Sequence, residues 1–101
     1  MQRGEVWRYD PAVFRRGQST LRLIVSARAV NDDPGLPVVL GLHVLDGDPG
    51  GLLAVRIAGH GWASALTVEP VLRSRLLEHL GTADAETMDD VAAALRAAQE
   101  L

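Results

Sequence analysis

Residues 20–27 read Thr20-Leu21-Arg22-Leu23-Ile24-Val25-Ser26-Ala27. Leucine and β-branched residues dominate the stretch, a composition that suits a pleated, half-buried strand. Strict alternation puts Leu21, Leu23 and Val25 on one face and Thr20, Arg22, Ile24 and Ser26 on the other. The run is bounded on its far side by Asn31-Asp32-Asp33-Pro34-Gly35, a strong turn signal.

Working outward, Glu5 to Asp10 alternates in the same way and is ended by Pro11, which predicts a first strand. Between the two strands lies a loop carrying Arg15, Arg16 and Gly17. Pro37 to Val44 predicts a third strand, with Val38, Leu40, Leu42 and Val44 as its core face. Asp46 to Gly51 is a turn, Leu52 to Ala58 a fourth strand, and Gly59-His60-Gly61 a tight turn. Trp62 to Val68 then makes a fifth strand. The remainder reads as helical. Residues 72–80 suit a short helix closed by Gly81. Asp84 suits an N-cap, with a longer helix from about Ala85 to Gln99 behind it. Met88, Val91, Leu95 and Ala98 recur there at helical spacing.

These elements predict a single domain, mainly β within the α+β class. They suggest a small, strongly bent antiparallel β-barrel capped by a C-terminal α-helix and spanning residues 1–101, and periodicity alone leaves the barrel type open. Hydrophobic residues form 48% of the chain and charged ones 23%, which excludes wholesale disorder. The absence of cysteine excludes disulfides and cysteine nucleophiles. The three histidines fall in different elements without paired spacing, so no metal site and no cofactor are expected. Met1 leads straight into Gln2-Arg3-Gly4-Glu5, and no apolar run is long enough to span a bilayer. A cytoplasmic protein without membrane contact is the expectation.

The net charge is −3, but its distribution is lopsided. Residues 1–30 carry six arginines and two acids, whereas residues 31–101 carry four arginines and eleven acids. Such asymmetry points to an anionic partner. Every basic residue is arginine, the side chain best suited to bidentate phosphate contact. Trp7 and Trp62 read as core or interface residues.

Several segments resemble the MazF/PemK family of toxin ribonucleases. The opening Arg3-Gly4-Glu5-Val6-Trp7 is similar to the family's start. Leu23-Ile24-Val25-Ser26 followed by Asn31 resembles its second strand and the asparagine after it. Arg75-Leu76, Leu80-Gly81, an acid-rich helix start and Val91 to Leu95 resemble its tail. The resemblance implies a small SH3-like antiparallel β-barrel with a C-terminal α-helix, and the toxin of a type II toxin–antitoxin pair. Such a toxin is a homodimer that binds single-stranded RNA and a cognate antitoxin in one groove. It cleaves RNA without metal, the 2′-hydroxyl attacking the adjacent phosphate.

Two departures from the family pattern bear on the chemistry. The family's arginine opens the second strand, where this chain has Thr20-Leu21. Arg22 follows on the same face, displaced by about 6–7 Å. The family's threonine closes the third strand, where this chain has His43, a side chain able to exchange protons near neutral pH. The resemblance therefore implies Arg22 and His43 as a substitute catalytic pair, with Arg22 stabilising the phosphorane and His43 transferring the proton. Thr20 and Ser26 are expected to contact substrate. Arg15, Arg16 and Arg28 are expected to hold the RNA backbone.

Leu21-Arg22-Leu23-Ile24-Val25 with Asp33-Pro34-Gly35 also resembles CcdB-type toxins. These share the fold and bind gyrase instead. That alternative, like a family member that acts by binding alone, needs no nuclease residues. A non-toxin SH3-like interaction module is a further alternative.

Overall fold

A computed structural model describes residues 1–11, 19–51 and 53–99. Seven strands form one sheet path: β1 (Glu5–Tyr9), β2 (Leu21–Ile24), β3 (Val38–Leu45), β4 (Ala54–Ile57), β5 (Gly61–Ser64), β6 (Glu69–Leu72) and β7 (Leu76–Thr82). They lie in the order β4-β5-β3-β2-β1-β7, with β6 also paired to β3, and all pairings are antiparallel. A one-turn helix, α1 (Arg28–Asn31), follows β2, and α2 (Ala85–Gln99) closes the chain. No helix among the described residues is long and apolar enough to cross a membrane.

The third strand differs from its sequence pattern in an instructive way. β3 pairs with β2, β5 and β6, so it serves two sheet segments and is covered on different faces along its length. Leu42 and Val44 are buried as expected, but Leu40 on that same face is 42% exposed. Val39, on the opposite face, is buried with Tyr9, Ile24 and Val71. The face of β2 that carries Arg22 and Ile24 therefore lines a second core. The first core lies on the other side, where Val6, Leu23, Leu42, Val44 and Ile57 meet Met88 and Val91 of α2. Gly41 is where β6 presses closest on β3. A Cβ there would lie 2.9 Å from Val71 Cγ2 and 3.2 Å from the Leu23 carbonyl oxygen.

Residues 72–80 are not a helix. A 3₁₀ turn at Arg73–Arg75 leads into β7, which pairs with β1 from Glu5↔Thr82 to Tyr9↔Leu76. Leu72, Leu76, Leu77 and Leu80 have helical spacing, yet a helix would leave β1 with an open edge of unpaired backbone groups. Pairing outweighs local periodicity, at the cost of leaving Leu77 and Leu80 exposed. The fifth strand is likewise shorter than expected. It stops at Ser64, a 3₁₀ turn covers Ala65–Thr67, and a new strand begins at Glu69. Arg73 fastens this end of the sheet by donating to the carbonyls of Val30, Asn31, Asp33 and Leu36.

On the outer side of β3 and β6, Val38 opposes Leu72 and Leu40 opposes Pro70, with Leu36 and Val68 flanking them. All six are apolar, and only Val38 is half-buried, the others being exposed.

α2 starts as its sequence predicts. The Asp84 carboxylate accepts from the Thr87 N–H at 2.8 Å. Hydrogen bonds from the Thr87 hydroxyl and from its N–H hold the Asp84 carboxyl below its ordinary pKa. A depressed folded-state pKa gives stability that is present above the unfolded pKa and is lost as pH falls through the folded value. Asp84→Ala should therefore lower the melting temperature at pH 7, and the gap to wild type should close below about pH 3–4, near the ordinary carboxyl pKa. Melting curves from about pH 2.5 to about pH 7, which bracket the ordinary carboxyl pKa, check this. A gap that does not vary with pH would contradict the charge contribution.

Candidate active site

Arg22 is the centre of a polar cluster at one end of the second core. Its side chain is 0% exposed. Nε donates to Glu69 Oε1 at 2.9 Å, and Nη1 donates to the carbonyls of Ser19 at 2.6 Å and Leu21 at 2.9 Å. The guanidinium carbon lies 4.8 Å from the Tyr9 ring centroid, so one face of the cation rests on an aromatic surface. Nη2 is buried and has no hydrogen-bond partner among the described residues.

The β2–β3 register pairs Arg22 directly with His43. Directly opposed residues of an antiparallel pair project to one face. His43 Nε2 lies 2.9 Å from the same Glu69 Oε1, with its side chain 18% exposed and that of Glu69 36% exposed. One carboxylate oxygen thus meets both side chains. With Nε2 carrying the proton donated to Glu69, Nδ1 is the nitrogen left to accept a proton. The His43 backbone N–H donates to Thr67 Oγ1 at 2.9 Å, and Thr67 Oγ1 donates to the Ser64 carbonyl at 2.7 Å. The strand is therefore pinned from the 3₁₀ turn beside it. Ser19 Oγ donates to the Val44 carbonyl and accepts from the Leu21 N–H, tying the start of β2 to the end of β3.

The structure thus brings Arg22 and His43 together. Thr20 stands exposed at the start of β2, two residues from Arg22. Ser26 does not join them. It is buried, donates to Asn31 Oδ1 and accepts from the Leu40 N–H, which makes it a fastener of the β2–α1 connection. Arg28 lies in α1, past the far end of β2, where its Nε donates to Asp32 Oδ2 at 2.9 Å. Arg15 and Arg16 lie outside the described residues. Glu69 was missed by sequence reasoning. Its one signal is a lone acid in the otherwise apolar run Val68-Glu69-Pro70-Val71-Leu72.

The arrangement couples a buried cation, a half-exposed carboxylate and a rim imidazole on one face. That set can move a proton at Nδ1 while the carboxylate balances the imidazolium that results. Among the described residues, no group of three or more His, Cys, Asp or Glu side chains is placed to hold a metal ion.

No protein-family model matches the sequence, and a comparison with curated proteins finds no match. Solved structures do match. An endoribonuclease from a mycobacterial species superposes with a TM-score of 0.83 at 25% identity, over 100% of this chain and 92% of that one. A mycobacterial endoribonuclease in complex with its cognate antitoxin gives 0.85 at 24% identity, over 100% and 96%. MazF of Deinococcus radiodurans, in its complex with MazE, gives 0.79 at 20% identity, over 100% and 97%. Along its whole length, then, the chain has the fold of these endoribonucleases.

Proposed function

We propose that this protein is the toxin of a type II toxin–antitoxin pair, a homodimeric endoribonuclease that acts on single-stranded RNA in the cytoplasm. The observation that carries this reading is the Arg22–Glu69–His43 cluster, present in a chain that matches endoribonuclease toxins over its full length. The 2′-hydroxyl attacks the adjacent phosphate, so no metal-bound water is required. His43 Nδ1 takes the 2′ proton and returns it to the 5′ oxygen as the P–O5′ bond breaks, leaving a 2′,3′-cyclic phosphate and a 5′-hydroxyl, while Glu69 holds the imidazole by its other nitrogen and balances its charge. Arg22 lies beneath the rim and acts through its charge, favouring the extra negative charge that develops on phosphorus. Thr20, exposed and two residues from Arg22, contacts substrate in this reading. Arg15, Arg16 and the arginine-rich first third of the chain supply backbone attraction, so RNA affinity should fall steeply with salt. The cognate antitoxin is the protein partner, as in the mycobacterial and Deinococcus complexes.

The apolar face of β3 and β6 supports the dimer, because a monomer of this size gains nothing from exposing five apolar residues around Val38. Leu40→Glu should yield a folded monomer by size-exclusion chromatography with light scattering. A Leu40→Glu protein that stays dimeric would move the interface elsewhere.

Inducing the protein in growing cells tests the activity. Transcripts should fragment and growth should stop, with both effects absent for His43→Ala. Growth arrest with intact transcripts would favour a gyrase-binding toxin instead.

A further inference from the structure

The cross-strand row that joins Arg22 to His43 continues in the other direction. Trp7 pairs with Arg22 on one side and with His79 on the other. His79, Trp7, Arg22 and His43 therefore stand side by side on one face across β7, β1, β2 and β3. At about 4.8 Å per strand, His79 is roughly 14 Å from His43. Two imidazoles so far apart do not serve one phosphate. A strand of RNA with its reacting phosphate at His43 would instead carry a neighbouring nucleotide over His79.

The end of the row is an aromatic platform. The rings of Trp7 and His79 stack with centroids 5.4 Å apart and planes at 18°. Both are fixed at their edges. Trp7 Nε1 donates to Glu5 Oε1 at 2.9 Å, and the same carboxylate accepts from the Gln2 N–H through Oε2. His79 Nε2 lies 2.8 Å from the Gly81 carbonyl oxygen and 3.2 Å from Thr82 Oγ1. Trp7 packs on the second core, whereas His79 is exposed and belongs to neither core cluster. The core has no use for a second ring held in this orientation. A ligand with a flat π face does.

We propose that the Trp7–His79 pair is a nucleobase-stacking subsite, taking a base of the bound RNA strand that flanks the reacting nucleotide. The proposal rests on the ribonuclease reading above. A base stacks on the free face of the His79 ring, with Trp7 as its backing. Stacking tolerates any base, because every base has a π face, so this subsite adds affinity more than sequence preference.

The test measures anisotropy of a fluorescein-labelled, mixed-sequence 2′-O-methyl RNA, which binds but cannot be cut. His79→Ala should raise Kd about 10-fold with the dependence on salt unchanged, since stacking releases no counterions. His79→Tyr should bind like wild type, because it restores the ring without the imidazole nitrogens. His79→Ala binding like wild type, in a protein that does bind the RNA, would overturn the subsite and leave the ribonuclease reading standing. Equal losses in His79→Ala and His79→Tyr would overturn it too, assigning the effect to the bonds with Gly81 and Thr82. Wild-type protein that binds no RNA would remove the ribonuclease reading and the subsite together.

Discussion

His43→Ala should cut RNA cleavage by about 10²–10⁴-fold, the range supplied by a positioned proton carrier. On the proposed function the loss falls on kcat, because the imidazole acts on the reacting proton and not on the hold on the RNA backbone. The fold should survive. The ring lies at the rim, its side-chain bond runs to Glu69, and the His43 backbone N–H keeps its bond to Thr67 whatever the side chain. Glu69→Gln should lose less, since the amide oxygen can still accept from Nε2 but no longer balances an imidazolium. The two changes together should cost little more than His43→Ala alone, because the residues act as one unit. Single-turnover rates for the three variants check this, and losses that multiply would separate the two residues. A folded His43→Ala protein that cleaves at the wild-type rate would remove His43 from the chemistry.

The second large effect is on stability. Arg22→Ala should destabilise the protomer by about 3 kcal/mol, at the low end of the cost of breaking a buried ion pair. The low end applies because Glu69 keeps some water contact. The rest of the cost comes from the carbonyls of Ser19 and Leu21 and from the space left against Tyr9. Urea unfolding measures it, and a midpoint within error of wild type would contradict a structural role for the buried guanidinium. One consequence is practical. Lost activity in Arg22→Ala does not by itself assign Arg22 to the reaction, so the catalytic test belongs to His43 and Glu69.

What was legible in the sequence was local. The alternation of Glu5 to Tyr9 and Leu21 to Ile24, the cap at Asp84 and the stripe of Met88 and Val91 each depend on neighbours a few residues away. The two strands, the cap and the stripe recur in the structure, but burial does not alternate along either strand. Residues 72–80 were illegible because their leucine spacing fits a helix, while the open edge of β1 that recruits them lies at the other end of the chain. Arg22 was legible as a site candidate, but its burial was not. Alternation tells which face a side chain takes, not whether β6 will later cover that face. Glu69 joins Arg22 across 47 positions and has no periodicity of its own. The pairing of Trp7 with His79 is likewise a product of register, visible only once β7 is a strand.

Cleavage by 2′-hydroxyl attack needs no divalent metal and leaves 5′-hydroxyl ends. Purified protein should be incubated with varied single-stranded RNA in excess EDTA, and the ends of the products analysed. On the proposed function, cleavage with 5′-hydroxyl ends is the expected result. No cleavage by folded protein, or products bearing 5′-phosphates, would contradict it.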